Sequence, residues 1–265
     1  MKTIAVSVHK GGVGKSTTVQ TLGWILATEY GLRVVLFDLD PQASLTEACG
    51  VLDVAGQSLA EILRPLADRL WLAPADQAMA PGELGLMARL GREAVLYKAI
   101  ASLGDAYDVA LVDTPTSLGL LTINALRAAH GVLIPILPQA ADLRTLVLFR
   151  QTLDSIRREI NPTLQELGIV PTMFDRRLIH HRQALAVLYN AGLPLFLKVN
   201  SPPPPGEPAK LEDIVLTIPD SIRVAEASAA HQSITVFEPE NPAALAYREL
   251  GKIVTQWLND PHTQI

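Results

Sequence analysis

Short apolar runs rich in β-branched residues recur along this chain with segments of helical period between them, and that alternation restricts the fold more than any other feature. The runs are Thr3 to Val8, Arg33 to Phe37, Leu70 to Ala73, Tyr107 to Val112, Gly131 to Leu137, Gly168 to Met173 and Ile214 to Ile218. Each is nearly continuous in apolar residues, so both faces of the strand it forms must be covered. Helical segments such as Ser16 to Tyr30, Leu118 to Ala129 and Leu143 to Glu159 supply that cover. The alternation predicts an α/β fold, a mostly parallel twisted sheet with helices on both faces. Gly31 and Gly192 stand where the helices before them should end.

With 49% hydrophobic and 18% charged residues, the 265-residue chain has ample material for one core. We expect a single domain over residues 1–265, interrupted by the proline-rich stretch "NSPPPPGEPAKLED" at about 200–213. Its prolines forbid a central strand and favour an exposed loop. No apolar run is long enough to cross a bilayer, and no basic segment with a cleavage site opens the chain. A single cysteine, Cys49, forms neither an intramolecular disulfide nor a multi-cysteine metal site. Together these features predict a cytoplasmic protein. The formal net charge of −5 argues against constitutive, tight nucleic-acid binding. Its distribution is uneven, because Arg144, Arg150, Arg157, Arg158, Arg176, Arg177 and Arg182 gather after Leu143.

The first strand runs into "HKGGVGKST" and then a helix. A strand, a glycine-rich turn and a helix N-terminus together present backbone N–H groups and a positive dipole end to a bound anion. Gly11, Gly12 and Gly14, with Val13 between them, let the backbone wrap phosphates closely. Lys15 can reach the outer phosphates, and Ser16 and Thr17 open the helix, with Ser16 suited to ligate magnesium. The common pattern G-x-x-x-x-G-K-[ST] is not met, because His9 stands where its first glycine belongs. A second strand ends in "DLDPQ", and a third ends at Asp113 in "YDVALVDTPTSLG". Carboxylates at the carboxyl ends of parallel strands, beside a phosphate loop, lie where magnesium and an attacking water are needed.

The loop matches the deviant Walker pattern K-G-G-x-G-K-[ST], and here the chain resembles the ParA partition ATPases within the ParA and MinD branch of P-loop ATPases. The resemblance implies ATP and Mg2+ as cofactors and an ATP-dependent homodimer. Lys10 would reach the partner's bound phosphates while Lys15 serves its own. It also implies that Asp40 orients the attacking water, that Asp38 supports the catalytic metal site, and that Asp113 holds magnesium through water. Thr114 and Pro115 would sense the γ-phosphate, although Thr116 stands where relatives often carry a second proline. The stretch "ILPQAADLRTL" also departs from the family's commonest wording. "IVPTMFDRR" and "TIPDSIRVAEASAAHQSITVFEPENPAALAYREL" resemble the family's adenine-side loops and last helices, which makes Thr172, Met173, Asp175 and Pro219 candidates for lining the base.

In that family the dimer binds DNA without sequence preference, and a partner, a centromere-binding protein or a cargo adaptor, stimulates a slow ATPase. By resemblance, this chain would position a plasmid, chromosome region or protein organelle on the nucleoid. Arg176, Arg177 and Arg182, beside His180 and His181, and Arg223 in a second segment are the candidate DNA contacts. An alternative is a MinD-like ATPase at a membrane. That role calls for a basic amphipathic C-terminal helix, whereas the last helical segment, Pro242 to Leu258, mixes Arg248 and Lys252 with Glu249, so no membrane partner is expected. A further alternative is a metabolic P-loop enzyme that activates a small carboxylate.

Overall fold

The structure, a computed structural model, describes residues 1–51, 62–75, 85–198 and 210–259. Most of the proline-rich stretch lies outside the described residues. The strands are β1 (Lys2–Val6), β2 (Val34–Asp38), β3 (Arg64–Ala67), β4 (Leu70–Ala73), β5 (Val109–Asp113), β6 (Gly131–Ile136) and β7 (Gln165–Pro171). They form one seven-stranded sheet in the order β3-β4-β2-β5-β1-β6-β7. All neighbouring pairs are parallel except β3 with β4, which are antiparallel.

The helices are α1 (Lys15–Thr28), α2 (Ser44–Ala48), α3 (Val95–Ser102), α4 (Leu120–Ala128), α5 (Ala140–Glu159), α6 (Ile179–Asn190), α7 (Leu211–Ile214), α8 (Ile222–Ala229), α9 (Ile234–Phe237) and α10 (Pro242–Asn259). Because successive side chains in a strand point to opposite faces, the continuous apolar runs feed two cores. Ile4, Val34, Leu36 and Leu111 join α1 and α10 on one face. Ala5, Val35, Phe37, Ala110 and Val112 join α4 and α5 on the other. The expected α/β architecture is therefore the observed one.

Two glycines set how closely the layers approach. A Cβ on Gly23 of α1 would fall 2.5 Å from Leu36 Cδ2, and one on Gly251 of α10 would fall 2.7 Å from Ile25 Cγ2. Gly31 and Gly192 adopt positive φ after α1 and α6, as helix-ending glycines do.

One expected strand is absent from the sheet. Residues Ile214 to Ile218 follow the short α7 and make only isolated bridge contacts, Val215 with Leu197 and, just beyond, Pro219 with Phe174. Leu216 and Ile218 are buried in the core shared with the C-terminal helices and Val215 in the core on the other face, which satisfies the same hydrophobic pattern without a ladder. Among the described residues no helix is long and apolar enough to cross a membrane. The last helix instead buries Tyr247, Leu250, Val254 and Trp257 against the domain.

Candidate functional site

The carboxyl ends of β1, β2 and β5 meet beside the N-terminus of α1, at a switch point where the chain leaves β1 toward β2 on one side and leaves β5 toward β6 on the other. Gly12 and Gly14 take φ of 71° and 81°, conformations in which a side chain is strained, so the turn depends on glycine there. The loop is tied to the neighbouring strands by Thr172, whose buried hydroxyl lies 2.8 Å from the Val13 carbonyl oxygen and 3.0 Å from that of Ile136.

The two lysines take different places. Lys15 is buried, and its ammonium donates to the Lys10 carbonyl at 2.9 Å. Burial lowers its pKa, against the pull of the Asp113 and Asp40 charges. The Lys10 side chain leaves the loop and forms an ion pair at 3.1 Å with Asp142 in the first turn of α5.

The carboxylates also separate by environment. Asp113 is buried at the end of β5, and neither of its oxygens has a hydrogen-bond partner among the described residues. Burial, aided by the Asp38 charge, pushes its pKa up to about 8, while nearby Ser16 and Lys15 pull the other way. An orphaned buried carboxylate beside a serine at a helix start is a donor set that a magnesium ion fits, since Mg2+ takes oxygen ligands and keeps several waters. Asp38 is engaged differently: it accepts from the Thr46 amide at 2.9 Å, the Thr46 hydroxyl at 2.7 Å and the Asp40 amide at 3.0 Å. Thr46 in turn accepts from the Ala75 amide. Asp38 thus braces the loop that carries Asp40, whose half-buried carboxylate accepts from the Gln42 amide. The Thr114 hydroxyl points into the sheet, donating to the Val6 carbonyl, with Ser7 Oγ also within 3.0 Å. Thr116 is the residue of this segment that lies against the glycine loop, 3.5 Å from where a Gly11 Cβ would stand.

Beyond Gly14 and Thr17 opens a cavity of about 490 Å³ lined by Thr172, Met173, Pro219, Ser221, Ser228 and Tyr247 among others. Three of the expected base-side residues, Thr172, Met173 and Pro219, therefore line one pocket, and Met173 holds a positive φ of 49° at it. Asp175 is not among the lining residues; its carboxylate pairs with Arg177 at 2.8 Å, which holds its pKa down at about 2. Ser221, Ser228 and Tyr247 were not anticipated, because they come from distant helices whose local patterns advertise only packing.

The four candidate DNA-contacting arginines are all exposed, and three carry acidic partners. Arg176 pairs with Asp213 at 3.1 Å, Arg177 with Asp175, and Arg223 with Glu226 and Glu238. Arg182, on the first turn of α6, is exposed and makes no ion pair among the described residues. His181 is buried and accepts from the Asp175 amide at 3.0 Å, so it orders this loop, while His180 is exposed.

A family model described as an AAA domain matches residues 1–166. The chain is similar to the chromosome-partitioning ATPase Soj of Thermus thermophilus, 35% identical over 263 residues that cover 96% of this chain and 95% of that protein. It is 32% identical over 268 residues to the sporulation initiation inhibitor protein Soj of Bacillus subtilis, covering 96% of this chain and 98% of that one. Among solved structures, cobyrinic acid a,c-diamide synthase from Mycobacterium smegmatis with bound ATP analog and magnesium aligns over 100% of this chain and 98% of that chain. The TM-score is 0.81 at 29% identity. With its two-lysine phosphate loop, its strand-end carboxylates and this degree of likeness over nearly the whole length, the chain belongs to the Soj/ParA family of P-loop ATPases.

Proposed function

We propose that the chain is an ATP- and Mg2+-dependent dimerising ATPase that binds DNA without sequence preference and positions a cargo on the nucleoid. The observation that carries this reading is the division of labour between the lysines. Lys15 is enclosed in the chain's own phosphate loop, whereas the Lys10 side chain stands off that loop, 41% exposed and paired with Asp142. Ser16 and Asp113 would hold the magnesium ion, which when bound would supply positive charge beside the outer phosphates. Asp40, braced by Asp38, orients the attacking water. Hydrolysis is slow alone and stimulated by a partner, either a DNA-bound protein or a cargo adaptor.

DNA binding follows from doubling a modest basic surface. A dimer presents two copies of Arg182 and of the ion-paired Arg176, Arg177 and Arg223, whose acidic partners exchange for DNA phosphates. Multivalent phosphate contacts make affinity steep in both ATP and salt. The test is fluorescence anisotropy of a random-sequence duplex with ATP and magnesium, with ADP, and without nucleotide, at two salt concentrations. We expect binding only with ATP, weakened at least about tenfold between 50 and 200 mM salt and lost when Arg177 and Arg182 are replaced by glutamate with the dimer intact. Absence of binding in every condition would sink the DNA reading.

The likeness to the diamide synthase favours one second reading, a ligase that activates a small carboxylate. ATP turnover that needs a carboxylate and an amine donor, and ignores DNA, would establish it.

A further inference from the structure

We infer that Asp142 is a positioning residue that holds Lys10 on its own protomer, and that its carboxylate sets the ATP threshold for dimer closure. The inference rests on the dimer reading above and deepens it. Asp142 lies in "ILPQAADLRTL", the stretch that departs from the family's commonest wording.

Its side chain is 2% exposed, and apart from the Lys10 ion pair neither carboxylate oxygen has a polar partner among the described residues. A carboxylate so placed keeps its charge only if something compensates it. Two things do so here: the Lys10 ammonium at 3.1 Å, and the positive end of α5, in whose first turn Asp142 sits. Lys10 is the only side chain that pairs with it among the described residues, and Lys10 itself is 41% exposed. The lysine can therefore leave toward solvent or a second protomer, whereas the aspartate cannot follow. Each departure strands a buried charge, so the pair favours the open, monomeric state.

Nucleotide loosens the same pair through the backbone. The Lys15 ammonium donates to the carbonyl of Lys10, while the Lys10 amide donates to the Val8 carbonyl at 2.8 Å. Residue 10 is thus held by its amide, its carbonyl and its ammonium together. When Lys15 turns to the outer phosphates, the carbonyl anchor is lost, and the amide to Val8 and the side-chain pair are what still hold residue 10. Occupancy of the chain's own site thereby lowers the barrier to presenting Lys10 to the neighbour.

The test uses the full chain and D142N, with D142S as a second variant should the amide disturb folding. Both are checked by circular dichroism. The first readout is the rate of acetylation of the Lys10 ε-amine by acetic anhydride, read by peptide mass spectrometry with Lys2 as internal reference. The second is the ATP concentration for half-maximal dimer by sedimentation velocity with magnesium. Removing the charge should raise Lys10 acetylation at least threefold without nucleotide and lower the half-maximal ATP concentration at least tenfold. In a K10A background, D142N should change dimerisation less than twofold, which a merely structural role for Asp142 does not require. Wild-type dimerisation with D142N unchanged in either readout would overturn the latch and leave the dimer reading standing. Wild type and D142N both monomeric at every ATP concentration would overturn the two together.

Discussion

Three aspartates of this chain show how far one chemical group can be driven apart by its surroundings. Asp113, enclosed with neither oxygen hydrogen-bonded among the described residues, has its pKa pushed up to about 8, while Asp108 and Asp175, each gripped by an arginine, are held at about 2. The first arrangement suits a group awaiting a cation; the others are clamps. Asp108 receives the Arg33 amide at 2.8 Å and its guanidinium at 2.6 and 3.1 Å, which joins the starts of β2 and β5. Its folded-state pKa lies below the ordinary value near 3.9, so the clamp stabilises the fold above about pH 4. That contribution is lost as pH falls through about 2. We expect the gap in melting temperature between wild type and Asp108→Asn to be constant from pH 5 to 7 and to vanish by about pH 2. A gap that widens on acidification would contradict the assignment. The pair is partly exposed, so the gap should be small.

At the scale of elements, stability depends on how closely α1 and α10 can lie. Gly251 is in a helix interior, where alanine is intrinsically better by about 1 kcal/mol. A Cβ there would stand 2.7 Å from Ile25 Cγ2, a methyl on a stiff β-branched side chain inside the core. Overpacking costs about 1–3 kcal/mol and outweighs the propensity gain. Gly251→Ala should therefore destabilise by about 1 kcal/mol in urea unfolding, with an unchanged slope. Elements with a strong local signature were legible from the sequence alone: β1, its glycine loop and α1 declare themselves within one stretch, and Asp38 and Asp113 close apolar runs. What was not legible depends on tertiary context. Ile214 to Ile218 carries a strand's pattern, but its side chains are divided between the two cores without joining the sheet. The edge strand β3 is short, half-exposed and contains Pro65, so it lacks that pattern altogether. Lys10 with Asp142, and Asp38 with Thr46, join residues whose sequence neighbourhoods give no hint of each other.

For the whole molecule, the site sits at the carboxyl edge of the sheet, where the phosphate loop that follows β1 meets Tyr247 of α10 across one cavity. Ligand that binds only the folded state stabilises it by about 2.7 kcal/mol at a hundredfold excess over its Kd, which in a chain of this size raises the melting temperature by about 5–10 °C. ATP with magnesium should produce that shift, and Lys15→Ala, by removing the buried ammonium, should abolish it in differential scanning fluorimetry. A full shift in the variant would remove Lys15 from the phosphate site.

The base-side cavity has one further consequence. Its wall includes Tyr247, whose buried hydroxyl meets Thr18 of α1 at 3.2 Å across 229 positions of chain. Translation delivers the phosphate loop and α1 more than two hundred residues before this tyrosine. A ribosome-bound nascent chain therefore carries an unfinished pocket until this tyrosine has been made, and fragments that stop before it lack one wall of the cavity.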